Sequence, residues 1–127
     1  MNLALWIVAG LLAVVMLTGG VTKLLVPKEK LAATAHGGWT ADFGVGFVKT
    51  LGAVEILAAA GILLPALVGI APVMVPVTAV CWVALMIGAM ITHLRRRETT
   101  PVAANLLYLA MAAFVAWGRF GPESFTG

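Results

Sequence analysis

Charged side chains fall in clumps along this chain, with long apolar stretches between them. Residues 1–22, 56–94 and 99–118 contain no Asp, Glu, Lys or Arg. A helix crossing a bilayer needs about 20 mostly apolar residues. The 56–94 stretch is too long for one crossing, and Pro65-Ala-Leu-Val-Gly-Ile-Ala-Pro72 punctuates it as a turn. The pattern predicts four helices, over residues 3–25, 45–64, 72–94 and 101–117. Pro27 stops the first, Asp42 or Thr40 is placed to cap the second, and Pro101 suits the first turn of the fourth. Lys28 to Ala35 read as a short interfacial helix ended by His36-Gly37-Gly38. Helices are required because each backbone polar group must find its partner inside the lipid. The expected fold class is all-α, an up-down bundle of four transmembrane helices forming one membrane domain over residues 1–127.

Composition makes lipid the natural solvent. Of 127 residues, 62% are hydrophobic and 10% charged, with mean hydropathy +1.08. A soluble domain carries about 25% charged residues, and a chain this short has too little interior to hide the apolar excess. Cys81 is the sole cysteine, which excludes an internal disulfide and Cys-x-x-Cys chemistry. Residues 1–25 lack a basic start and exceed a signal core in length, so a cleaved signal peptide is not expected.

The net charge of +3 reads as an orientation signal. Four spans put both termini and the 65–72 turn on one side, with the 26–44 and 95–100 loops on the other. Lys28, Lys30, Arg95, Arg96 and Arg97 lie on the second side, against Arg119 on the first. The positive-inside rule then makes the two basic loops cytoplasmic and both termini non-cytoplasmic. The expected location is the cell (plasma) membrane, of the bacterial inner-membrane type. Trp39 and Phe43 in the long loop suit an interfacial aromatic belt, and His36 reads as a solvated loop residue.

Ionisable residues inside a span are costly and mark functional positions by default. Glu55 lies about ten residues into the second span, roughly 15 Å deep, near the midplane. Gly52, Glu55 and Ala59 share a helix face of small residues that permits close helix approach. Lys23 ends a stripe of Ala9, Ala13, Met16 and Gly20 on the first span. Because the Cα–Cβ bond tilts toward a helix N-terminus, Lys23 leans toward the midplane and Glu55 toward the cytoplasm, so the two converge. Lys49 leans the other way and is expected to snorkel. His93 shares its face with Trp82, Met86 and Ala89. Asn105 shares a stripe with Pro101, Tyr108, Leu109, Ala112 and Ala116, where interhelical hydrogen bonding is its ordinary role. All four polar candidates fall in the cytoplasmic half, and the outer half is expected to hold almost no polar side chain. Glu55, His93 and Lys23 are the candidate catalytic residues. Asn105, Tyr108, Gly52 and Trp82 are the candidate ligand-binding residues. No helix carries metal-ligand spacing.

Three motifs resemble one family. Gly19-x-x-x-Lys23-Leu24 followed by Pro27-Lys-Glu-Lys-Leu31, Gly52-Ala-Val-Glu55-Ile-Leu followed by Gly61-Ile-Leu-Leu-Pro65, and Met86-Ile-Gly-Ala-Met-Ile-Thr-His93 are similar, in order and spacing, to the first three helices of DoxX-like membrane proteins. The resemblance implies a four-helix bundle associated with redox membrane complexes, including quinone-linked thiosulfate oxidation, and makes a quinone the candidate cofactor. With one cysteine, a thiol-exchange role is not expected.

The first functional expectation is a bundle that binds a hydrophobic, quinone-like small molecule, as an accessory subunit of a redox complex. The alternatives are an intramembrane acid–base enzyme and a small proton-coupled transporter. The enzyme, an isomerase, cyclase or epoxide-opening activity, would use Glu55 and His93 on an apolar substrate. The membrane Glu of small multidrug transporters lies in their first helix, whereas this one lies in the second. Expected partners are the lipid bilayer, the hydrophobic small molecule, and a second copy of the chain or a redox partner subunit; nucleic acid is not among them.

Overall fold

The computed structural model describes residues 1–34 and 38–124. Its long helices are α1 (Asn2–Leu25), α3 (Val45–Val68), α4 (Met74–Arg95) and α5 (Thr99–Phe120). A short α2 (Lys28–Ala32) and a 3-10 turn over Gly38–Asp42 link α1 to α3. Among the described residues these four are the helices long and apolar enough to cross a membrane. The bundle is inside-out in the way lipid demands. Leu3, Leu17, Leu57, Leu67 and Leu94 are exposed, whereas the stripe Ala9, Ala13, Met16 and Gly20 is buried.

The helices form a ring in the order α1, α3, α4, α5. The α1–α3 and α4–α5 seams are the most extensive, and α3–α4 and α1–α5 close the ring. Glycine sets the closest approach. A Cβ at Gly20 would lie 2.6 Å from the Gly52 carbonyl oxygen, and one at Gly52 would lie 2.8 Å from that of Gly20. The α1 and α3 backbones therefore touch, the packing mode that small residues permit in membranes. A Cβ at Gly118 would meet Leu5 Cδ2 at 2.5 Å, which brings α5 against α1 at the other end.

Several local expectations are corrected. The second span does not stop at Leu64 but runs through Pro65 to Val68. A proline near a helix end forfeits one hydrogen bond and leaves the turns before it intact. The helix ends instead at Gly69, whose φ of 72° supplies the left-handed cap, and the Ile70 N–H bonds back to the Pro65 carbonyl. α4 begins at Met74, two residues after Pro72. Neither proposed residue caps α3: Gly44 holds that position without a side-chain bond. Thr40 is buried within the 3-10 turn, and the Asp42 side chain lies outside the described part. The interfacial helix ends at Ala32, where the Thr34 hydroxyl donates to the Leu31 carbonyl at 2.7 Å. His36 lies outside the described residues.

The core is concentrated at the end that carries the termini. Leu5, Leu12, Ile62, Val75, Ala79 and Val115 are almost fully buried there. Almost no polar side chain is expected in that half, yet it holds one buried charge. Arg119 belongs to the last turn of α5 and is 5% exposed. It donates to Asn2 Oδ1 at 2.8 Å and the Glu123 carbonyl at 2.9 Å, and lies over the Trp6 ring. A buried charge persists only when paired or hydrogen-bonded, and Asn2 at the start of α1 provides that partner.

Candidate functional site

Opposite that packed end, the four helices surround a cavity of about 360 Å³. Every long helix contributes a polar side chain to its lining: Lys23 from α1, Glu55 from α3, Thr92 and His93 from α4, and Asn105 from α5. Lys23 Nζ meets Glu55 Oε2 at 2.7 Å. This is a close ion pair between two helices. The sequence places the pair through two glycines. Gly52, one turn before Glu55, lets α3 approach α1. Gly19, one turn before Lys23, leaves room for the carboxylate, since a Cβ there would stand 3.1 Å from Glu55 Oε1.

His93 lies on the α4 wall, 9% exposed. Its Nδ1 is 2.9 Å from Glu98 Oε1, and Arg96 Nε is 3.4 Å from the same oxygen. Glu98 follows α4 directly, because the chain reverses at Arg97 with a φ of 58°. Asn105 Nδ2 is buried and makes no hydrogen bond among the described residues. A buried amide without a partner costs roughly 1–3 kcal/mol, so this atom is poised for a ligand acceptor. Among the described residues no three His, Cys, Asp or Glu side chains lie close enough to hold a metal ion.

Aromatic rings line the loop end of the cavity. Trp39, Phe43 and Phe47 are spaced by four residues across the boundary between loop and α3. Trp39 meets Phe43 edge-on at 5.9 Å, and Phe43 stacks on Phe47 at 4.7 Å. Lys23 Nζ lies 5.8 Å from the centre of the Trp39 ring, within cation–π range. Arg96 reaches over the same segment, with Nη2 only 2.5 Å from where a Gly38 Cβ would stand.

The structure thus brings four of the expected site residues to one cavity: Glu55, His93, Lys23 and Asn105. The other three do not line it. Gly52 is spent on the α1–α3 contact. Trp82 is buried in the core with an unpartnered Nε1, and Tyr108 packs against that core. Sequence reasoning missed Glu98 and Phe47 and assigned Trp39 and Phe43 only to an interfacial belt. The i, i+4, i+8 spacing of Trp39, Phe43 and Phe47 was the available signal. Lys49 is exposed and outside this cavity.

An apolar four-span bundle with a cavity that carries a few polar side chains in one half defines a small integral membrane protein of the helical-bundle class. The chain belongs to the DoxX-like family, whose sequence profile matches residues 7–115. No curated protein and no solved structure matches it.

Proposed function

We propose that this DoxX-like protein binds a hydrophobic small molecule with a quinone-like head in the Lys23–Glu55–His93–Asn105 cavity. The observation that carries the reading is the unpartnered Asn105 amide in a cavity of about 360 Å³. Ligand sites are mostly apolar pockets of about 300–1,000 Å³ with a few convergent polar groups. A flat ring suits the aromatic wall of Trp39, Phe43 and Phe47. Its carbonyl oxygens suit the donors at hand, the Lys23 ammonium and the Asn105 amide. When bound, a quinone would supply electron and proton transfer. The chain's part is to hold the head, exclude water and keep titratable groups beside it. That fits an accessory role to a redox subunit.

The test is mass spectrometry of small molecules that co-purify with the protein in native lipid particles. Wild type should be enriched in quinone over protein-free particles, and Asn105→Leu should lose the enrichment. Wild type carrying no excess quinone overturns the reading.

The acid–base enzyme stands as the second reading, because Glu55 and His93 face one cavity. A co-purifying terpenoid or epoxide that the protein converts would favour it. The orientation proposed is the one the loop charges set, with residues 26–44 and 95–100 cytoplasmic in the plasma membrane. Single cysteines at Ser124 and Arg97, in a Cys81→Ser background, should react with impermeant reagent from opposite faces. Reaction of both from one face overturns this topology.

A further inference from the structure

We infer that the cavity opens sideways into the lipid between α3 and α4, so that its ligand is a tailed amphiphile with its head inside and its chain in the bilayer. This rests on the binding reading above and adds the class of ligand and its path. Three other directions are closed. The α1–α3 wall is sealed by backbone contact at Gly20 and Gly52. The α4–α5 seam is extensive. Toward the loops, among the described residues, Trp39 meets Phe43 edge-on, and Arg96 reaches over the Gly38 backbone.

The α3–α4 seam differs along its length. Near the termini it is tight, since a Cβ at Gly61 would stand 2.6 Å from Thr78 Oγ1. Toward the loops, the lining residues at this seam reach the outer surface. Phe47 is 48% exposed, and Ala84 and Gly88 are exposed as well, although all three line the cavity. A Cβ at Gly88 would meet nothing within 4 Å. Ala84 and Gly88, one turn apart on α4, leave a notch without side-chain bulk. Gly88 lies seven residues before Arg95 at the end of α4, about 10 Å into the span at 1.5 Å per residue. That is acyl-chain depth rather than headgroup depth. The cavity's volume also stands at the small end of ligand pockets, which suits a ring and its substituents and leaves a long chain outside.

Two measurements in lipid nanodiscs test this. The first places a nitroxide at position 88 through Gly88→Cys in the Cys81→Ser background. Molecular oxygen should relax the label strongly and a water-soluble nickel chelate weakly; the reverse overturns the lateral opening, whether or not any quinone binds. The second compares a decyl-tailed benzoquinone with the same ring lacking a tail. Gly88→Leu adds side-chain bulk to the notch at a position whose Cβ meets nothing within 4 Å, and should weaken the tailed probe by about tenfold or more. The tailless probe should hold within about twofold, as should both probes on Gly10→Leu, another glycine whose Cβ meets nothing. Equal effects of Gly88→Leu on the two probes, or none, overturn the tail path while leaving the binding reading intact. If wild type binds neither probe, the binding reading fails and takes the tail assignment with it, and the oxygen-to-nickel ratio still decides where the cavity opens.

Discussion

At the end of the bundle that carries the termini, Arg119 is 5% exposed, and Asn2, the Glu123 carbonyl and the Trp6 ring surround it. At the loop end, Glu55 is buried to a similar degree, at 7% exposed, yet it borders a cavity rather than a filled core. Both are charged side chains deep in an apolar chain. The first lies at the end where Leu5, Ile62, Val75 and Val115 are almost fully buried. The second shares its space with an amide that lacks a partner and rings that leave a gap. Burial of a charge is therefore a poor guide to function by itself. What separates a structural lock from a site is whether the surrounding polar groups are satisfied and the volume filled.

The largest expected effect falls on the contact that supports the site. Gly52→Leu forces a side chain into the space where the α1 and α3 backbones meet, with Lys23 Cβ 2.9 Å from the new Cβ. We expect a loss of about 3 kcal/mol, the upper range for overpacking, and collapse of the Lys23–Glu55 pair with it. Leu57→Ala, at a position 70% exposed, should change stability by less than about 0.5 kcal/mol. Thermal unfolding in detergent measures both, and equal shifts would contradict the assignment of faces.

Next in size is the lock at the other end. Arg119→Met removes the donor that Asn2 Oδ1 and the Glu123 carbonyl share, and should cost roughly 2 kcal/mol of stability. Binding at the loop-end cavity should be unchanged. A variant that unfolds no more readily than wild type but loses ligand would invert the comparison, making the termini end the functional one.

Four spans were legible because charge-free stretches of bilayer length have few other physical readings. The convergence of Lys23 and Glu55 was legible too, from the tilt of Cα–Cβ bonds on antiparallel helices. Three features were not. Pro65 reads as a breaker in sequence, but a proline costs little in the last turn of a helix when Gly69 follows to end it. Arg119 reads as a loop charge because its partner, Asn2, is at the far end of the chain. Glu98 gives no signal in the sequence because its meeting with His93 depends on the reversal at Arg97. Helix periodicity reports which face a residue shares; it cannot report contacts made across a turn.

The smallest effect sharpens the comparison most, because it asks how Lys23 and Glu55 share their burial. Separated by 2.7 Å, neither is well tolerated alone in an apolar surrounding. Glu55→Gln keeps the shape and leaves the Lys23 ammonium without its counter-charge. Lys23→Met keeps most of the volume and leaves the carboxylate without its own. If each charge is there for the other, the double variant should be less destabilised than the two singles add to, with a coupling of about 1–2 kcal/mol. Replacing a buried pair by neutral groups is often close to neutral, whereas breaking it is not. Ligand binding should behave differently. A pair that only fixes helix register would let the double variant recover binding along with stability. A pair that also meets the ligand would leave the double variant folded and unable to bind. Parallel unfolding and quinone-binding measurements on the four proteins of the cycle separate these outcomes. A folded double variant that binds as wild type does would reduce the loop-end charges to the same structural role as Arg119, and leave Asn105 and the aromatic wall to hold the ligand.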